Sequence, residues 1–375
     1  MQLDSRVLVT GGAGFIGSHV ANLLAESGAR VRVIDALDEQ VHGADAGFPL
    51  HLHPDVERVE GDVRDRDALS LALKDVTHVC HFAAAVGVGQ SMYEIERYVD
   101  VNNRGTAMLL ETLMDRPLQR LVIASSMSIY GEGLYRRPGI NGGAQYCEPP
   151  LRSREQLCEG RWEIESDGGM LEPVATPETK HAVPASVYAL SKYDQEQMCL
   201  MFGAAYGVPT VGLRFFNAYG PHQALSNPYT GVLAIFASRC LNRNSPLIFE
   251  DGMQRRDFVS VRDVARACQL ALTTPAVGQT FNIGSGEPRT VLEVANSVID
   301  AVNAPVEPLV TGKYRIGDIR HCFADISKAE RLLGYRPQVR FEDGLVELAE
   351  WLAGTSANDN FMRASAELGR KGLTL

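Results

Sequence analysis

The 375-residue chain lacks any run approaching the roughly 20 consecutive apolar residues of a membrane span, which excludes a bilayer-crossing helix. It also lacks a surplus of positive charge: 36 Lys and Arg face 46 Asp and Glu, a formal net charge of −10. That balance argues against nucleic acid or an anionic membrane surface as partner, and it obliges any phosphate-bearing ligand to be held by local arginines or helix N-termini. Cysteine is sparse: none of Cys80, Cys147, Cys158, Cys199, Cys240, Cys268 and Cys322 stands in a CxxC pair. An odd, scattered set predicts reduced thiols in a cytoplasm, most of them small core residues. No leader-like stretch precedes the first apolar run at residues 6–10, so no secretory signal is expected. Internal repeats and low-complexity tracts are also missing. What is present, 45% hydrophobic and 22% charged residues, suits a soluble globular enzyme and rules out disorder as the main state. The length exceeds what one core usually organises, which predicts two lobes or one enlarged domain.

Residues 6–35 read as one βαβ unit: a short apolar strand at 7–9, a glycine-rich turn at 11–17, helical spacing over 18–27 ended by Gly28, and a second strand at 31–34 closed by Asp35. Strand-like runs recur at 77–82, 121–124 and 210–215 with helix-like stretches between them. This is the rhythm of an α/β fold, a doubly wound parallel sheet covered on both faces. Further on, 258–272 reads as a strand and an amphipathic helix, 281–283 as a strand, and 291–302 and 326–333 as helices. From Ser356 the chain reads as a polar, helical tail with little diagnostic content. Residues 132–180 stand apart, with seven glycines and five prolines. A long irregular connection of this kind predicts an insertion over the active-site face; the plain alternative is a surface loop with its own small apolar plug.

Gly11, Gly14 and Gly17 are spaced GxxGxxG after a strand and at the opening of a helix. Gly11 permits the tight turn, Gly14 lets backbone approach a pyrophosphate, Gly17 lets helix and strand pack closely, and the helix start supplies positive charge. Asp35, eighteen residues after Gly17, is placed to accept hydrogen bonds from an adenosine ribose and to repel a 2′-phosphate, so the expected cofactor is NAD rather than NADP. Asp62 is placed to meet the adenine amine or to cap a helix over 64–73. Tyr188 and Lys192 share a face of a helical stretch over 186–197, where an ammonium near a phenol would lower its pKa. Ser126 follows a strand at the sheet edge where ligands bind; turn chemistry is its plain alternative.

TGGAGFIGS at 10–18, SSMSIYG at 125–131, YALSK at 188–192, LRFFNAYGP at 213–221, RDFVSV at 256–261 and RIGDIRHCFADISKAERLLGYRP at 315–337 occur in that order. Together they resemble the NAD-dependent epimerase/dehydratase family, the extended short-chain dehydrogenases acting on nucleotide sugars, from about residue 5 to about 352 outside the insertion. The resemblance implies a Rossmann domain with tightly held NAD, formed by residues 1–211 and 254–283, and a smaller C-terminal α/β domain for the nucleotide sugar, formed by 212–253 and 284–352, with a tail from 353. It also implies a homodimer. Ser126, Tyr188 and Lys192 match the family's catalytic triad. The cofactor side is implied to include Phe15, Ile16, Val63, Phe82, Ala83, Ala84, Ala85, Asn102 and Phe216 besides the residues above. The substrate side takes Val86, Asn217, Val232, Leu247, Ile248, Phe249, Arg256, Arg315 and Asp318. Two arginines can give a pyrophosphate forked, charge-assisted bonds despite the net negative charge, although Arg256 could instead pair with Asp257 or Asp263.

Dehydratases of the family carry an Asp-Glu pair after the triad serine, and related decarboxylases a glutamate at the second position; here these positions are Met127 and Ser128. Neither can supply the carboxyl acid or base of an elimination, which leaves oxidation and re-reduction at one carbon, a 4-epimerisation. The insertion, Asn227 to Gly231, Phe249 to Gly252 and Gly312 to Cys322 most resemble the dTDP-L-rhamnose 4-epimerases, which interconvert dTDP-L-rhamnose and dTDP-6-deoxy-L-talose. UDP-glucose or UDP-glucuronate 4-epimerisation is the alternative substrate reading. Where that subgroup often has a zinc-knuckle CxxC, this chain has Ser166-Asp167-Gly168-Gly169, and Cys147 and Cys158 cannot complete a tetrahedral site, so no metal is expected. Cys322 falls where some UDP-hexose epimerases have a bulky gatekeeper, which implies a roomy sugar pocket. A catalytically silent NAD-binding regulator is the competing class; the intact triad argues for the enzyme.

Overall fold

The computed structural model describes residues 5–43, 46–137, 145–150, 152–166, 169–315, 318–355 and 357–374. Its centre is a seven-stranded sheet of β1 (Arg6–Thr10), β2 (Arg30–Asp35), β3 (Glu57–Glu60), β4 (His78–His81), β5 (Arg120–Ser126), β6 (Thr210–Phe215) and β7 (Gln279–Ile283). The spatial order is β7-β6-β5-β4-β1-β2-β3, with every pairing parallel. The central strands are continuous apolar runs because both faces are covered; β6 is buried along its whole length. Strand order reverses between β1 and β4, and ligands of such sheets bind in the crevice beyond the carboxyl ends at that point.

Helix α1 (Phe15–Glu26) follows β1 and buries Val20, Ala21 and Leu24 against the sheet, ending at Ser27 and the left-handed Gly28. Helices α2 (Gly105–Leu113) and α3 (Val187–Tyr206) lie near β4 and β5, and α4 (Val261–Ala271) packs beside α1. The glycine turn is fixed by sterics. Gly11 has φ +68°, and a Cβ on Gly17 would stand 2.1 Å from the Gly11 carbonyl oxygen, so α1 could not start so close to β1 with any other residue there. A second layer is built on Arg255–Ser260, which pairs with Asn217–Tyr219, Pro288–Thr290 and His321–Cys322. A separate apolar cluster, including Phe236, Ile248, Phe258, Val294 and Leu348, supports it.

The insertion has a core of its own, Tyr135, Ile164 and Leu171 with Cys147 packed on it. Its described residues are tied to the rest of the fold. Arg152 forms a 2.8 Å ion pair with Glu250, both almost fully buried, and donates to the Asp318 carbonyl oxygen at 3.1 Å. Glu163 pairs with Arg320 and His321, and Glu132 accepts the backbone N–H groups of both. The expected CxxC position includes Asp167 and Gly168, which lie outside the described residues. Among the described residues, no helix is long and apolar enough to cross a membrane.

Candidate active site

The dinucleotide end is built from the start of α1. Its N-cap Gly14 offers no side chain to the first-turn N–H groups, and no acidic residue occupies that turn. A Cβ on Gly14 would meet only the Gly11 carbonyl oxygen, at 3.3 Å, so the space above it is open. These groups fit a pyrophosphate: bare donors, a positive helix end and room for close approach. Phe15 and Ile16 are half-buried at the same end. Asp35 is locked at the tip of β2 by N–H donors from Ala13 at 2.9 Å and Leu37 at 3.0 Å, which leaves carboxylate lone pairs for a ribose diol.

Asp62 does not cap the next helix. That helix is Arg66–Ala72, capped by Asp65. Asp62 is half-buried, and burial works to raise its pKa, but hydrogen bonds from Arg64 hold it below the ordinary carboxylate range. Val63 is buried under Gly105. The Phe82 and Ala83 N–H groups donate to the Thr10 hydroxyl at the end of β4. Ala84 and Ala85 continue along that edge, half-buried. Asn102 is wholly buried and spends its amide on the protein: it accepts from the Ala85 N–H at 2.7 Å and donates to the Ala85 carbonyl oxygen and the Ser191 hydroxyl. It therefore positions the β4 loop against α3 rather than offering a free amide to a ligand.

Ser126, Tyr188 and Lys192 come together at the carboxyl edge. Ser126 ends β5, and its Oγ accepts from the Ser128 N–H at 3.2 Å and the Ser128 hydroxyl at 2.9 Å, so turn chemistry and proximity to Tyr188 coexist. Burial pushes the Tyr188 phenol up, and its hydrogen bond with Ser126 pulls it back. Lysine does not lower it as the spacing predicts. Lys192 Nζ instead donates to Gln195 Oε1 at 2.6 Å, and burial brings the ammonium down to about 8. Gln195 donates to Thr106, whose Oγ1 lies 2.8 Å from His81 Nε2, and His81 Nδ1 meets Thr10 at 2.7 Å. This buried chain links the lysine to the strand ends, and burial keeps His81 neutral with a pKa of about 3.

A crevice of about 310 Å³ runs from Met127, Ser128 and Ala189 to Leu247 and Phe249. Asn217, Val232, Arg256, Arg315 and Asp318 also line it. Arg256 pairs with neither Asp257 nor Asp263. Asp257 accepts from Ser285 and Gly286, Asp263 pairs with Arg266, and Arg256 faces Asp318 at 3.8 Å. Arg315 lies over the Phe249 ring at 4.3 Å, and its buried Nε has no hydrogen-bond partner. An unpaired buried donor beside an aromatic ring suits an anionic ligand. The remaining residues fall elsewhere. Strand alternation turns Ile248 into the core between Leu247 and Phe249, Phe216 is buried among Tyr130, Met127 and Cys322, and Val86 is exposed outside the crevice wall. Cys322 is likewise buried, its thiol directed at the Thr176 hydroxyl. The described residues of the insertion do not line the crevice either; they brace its Asp318 segment from behind.

Sequence reading missed Ser91, whose hydroxyl accepts the Tyr188 N–H at 3.0 Å, and Gln195. Gln195 stands three residues after Lys192 on one helix face, a spacing that could have shown it; nothing local marks Ser91.

A sequence profile of the NAD dependent epimerase/dehydratase family matches residues 7–153 and 168–284. The chain is 36% identical over 353 residues to a dTDP-L-rhamnose 4-epimerase of Burkholderia thailandensis, covering 93% of this chain and 95% of the relative. Among solved structures it resembles the UDP-glucose 4-epimerase of Thermotoga maritima with UDP-glucose (30% identity, TM-score 0.75, 93% and 98% of the two chains). It also resembles the UDP-glucose 4-epimerase of Thermus thermophilus in complex with NAD (31% identity, TM-score 0.73, 93% and 99%).

Proposed function

From the premise that the chain belongs to the NAD dependent epimerase/dehydratase family, we propose that it is a nucleotide-sugar 4-epimerase whose substrate pair is dTDP-L-rhamnose and dTDP-6-deoxy-L-talose. The observation that carries the reaction type is the pair of residues after Ser126. Met127 is buried among apolar side chains and Ser128 spends its hydroxyl on Ser126, so no carboxyl group stands there to drive an elimination. The chemistry left is reversible oxidation at the carbon whose hydroxyl meets Tyr188.

Gly11, Gly14, Gly17, the start of α1 and Asp35 would hold NAD, and Lys192 would serve its ribose side. Bound NAD supplies a reversible acceptor for the hydrogen on C4′. Tyr188, as phenolate, would take the proton from the C4′ hydroxyl and give it back to O4′ once the 4-keto sugar has turned over, so that the hydrogen returns to C4′ on the opposite face. Ser126 shares that hydrogen bond and steadies the developing charge on O4′. Arg256 and Arg315 would grip the diphosphate, with Leu247 and Phe249 beside the base.

The dTDP-6-deoxyhexose assignment is supported by the subgroup motifs and the 36% identity. UDP-glucose is the second reading, carried by the likeness to the two UDP-glucose 4-epimerase structures. The reading includes a division of labour in which residues 1–211 with 254–283 hold the cofactor and 212–253 with 284–352 the sugar nucleotide. It also includes a cytoplasmic homodimer. All seven cysteines are free thiols, and Ile95, Val99 and Leu190 stand exposed on adjoining helices. Incubation with a panel of dTDP-, UDP- and GDP-sugars, following C4′ stereochemistry by NMR without added coenzyme, tests the assignment. Interconversion of the dTDP-6-deoxyhexose pair supports it; epimerisation of UDP-sugars alone would replace it with the second reading, and no epimerisation at all would overturn both.

A further inference from the structure

The C-terminal tail carries an amphipathic helix, α5 (Phe361–Arg370), with Phe361, Ala364 and Leu368 buried. Phe361, Ala364, Ser365 and Leu368, one face at helical spacing, line the same crevice as Asn217, Arg256 and Arg315. The helix is fastened at its start. The Asp359 carboxylate receives Arg239 at 3.0 Å and Asn244 at 2.8 Å, and Asn360 donates to the Ser226 carbonyl oxygen at 2.9 Å. The guanidinium of Arg239 lies over the Phe361 ring at 5.3 Å. Beyond this anchor the tail reaches both ends of the crevice. Leu368 abuts Gly89, where a Cβ would stand 3.3 Å from it, in the short segment whose Ser91 holds the Tyr188 N–H. Thr374 forms a backbone bridge with Arg315.

Around Leu368 the lining residues Met92, Val88 and Gly89 offer no side-chain donor or acceptor. Of the lining hydroxyls, Ser128 is bonded to Ser126, Tyr229 to Tyr93 and Thr230 to Gln223, Ser186 accepts the Ala189 N–H, and Ser365 stands three residues before Leu368, while the lining cations Arg256 and Arg315 stand with Phe249 and Asp318. A hydroxyl or carboxylate pressed there loses water without replacement, whereas a methyl gains by burial.

We propose that α5 is a wall of the nucleotide-sugar site and that Leu368 selects sugars whose C6 is an unsubstituted methyl. The selectivity rests on the 4-epimerase reading; the wall does not. Amide hydrogen exchange over residues 361–370 of the full-length NAD-loaded protein, with and without dTDP, tests the wall. Slowing of at least about fivefold on dTDP binding is expected; unchanged exchange with dTDP bound, or no dTDP binding, overturns it. Leu368→Ser, confirmed to retain wild-type melting temperature and NAD content, tests selectivity. The ratio of kcat/KM for a 6-deoxy over the matching 6-hydroxy nucleotide sugar should fall about tenfold, the usual worth of a small apolar contact. An unchanged ratio removes Leu368 as selector. Tight dTDP binding with no epimerisation of any nucleotide sugar would sink the functional reading and Leu368's selectivity with it, while the exchange result still decides the wall.

Discussion

Tyr188 and Lys192 are four residues apart as the sequence shows, yet their electrostatics are set by neighbours that spacing does not reveal. Burial raises the phenol, Ser126 opposes that rise, and the lysine is drawn to Gln195 with its own pKa near 8. Below pH 8 Lys192 is charged; as pH rises through about 8 the charge is lost. If that charge serves binding or turnover, kcat/KM measured between pH 6.5 and 9.5 declines above about 8, and a flat profile would show that it does not. Tyr188→Phe should cost about 10⁴-fold in turnover and Ser126→Ala about 10²–10⁴-fold, both with bound NAD retained. Wild-type rates in either variant would remove that group from the proton path. Asp35→Ser should weaken NAD and relieve exclusion of NADP, read by comparing the two dissociation constants. Glycine roles were legible because Gly11 and Gly17 answer to sterics alone. Asn102 and Ile248 were misplaced because burial and strand phase depend on distant packing.

At the level of elements, the strands and α1 were legible from apolar runs bounded by Gly28 and Asp35, to within a few residues. The insertion was not, because its partners come from far along the chain. Arg152 meets Glu250, and Glu163 meets Arg320 and His321. The own-plug alternative describes part of it, since Tyr135, Ile164 and Leu171 form a small core. Arg152, Glu132 and Glu163 brace the segment from Asp318 to His321. Arg152→Met removes one partner of a nearly fully buried pair, and among the described residues leaves Glu250 with Arg320 as its cation. The expected loss is about 3 kcal/mol of stability by urea titration, with KM for the nucleotide sugar raised. Unchanged stability would show the pair is dispensable. The tail was read as undiagnostic because the stripe Phe361, Ala364, Leu368 is short and diluted by polar residues, yet it meets the crevice.

Across the whole molecule, the sheet order β7-β6-β5-β4-β1-β2-β3 brings Thr10, His81 and Ser126 to one edge although 116 residues separate the first from the last. Alternating strand and helix runs foretold such a parallel sheet; the second layer on Arg255–Ser260 rests on three-residue strands too short to carry a periodic signal. Burial, complete at His81 and partial at His51, predicts an acid-sensitive fold. Burial lowers His51 to about 4 and His81 to about 3, so the native state keeps both neutral while the unfolded chain protonates them near 6.5. Their contribution is complete above 6.5 and lost progressively as pH falls below it, so the melting temperature should drop between pH 7.5 and 5. An equal or higher value at pH 5 would show the histidines are not held neutral.

The central claim is that one hydrogen leaves C4′ and returns to it inside a closed site, with Tyr188 moving only the proton on oxygen. A nucleotide sugar deuterated at C4′, turned over in ordinary water without added coenzyme, measures this directly. The account predicts that the epimerised product keeps its deuterium at C4′; product that has exchanged the label for solvent hydrogen would contradict it.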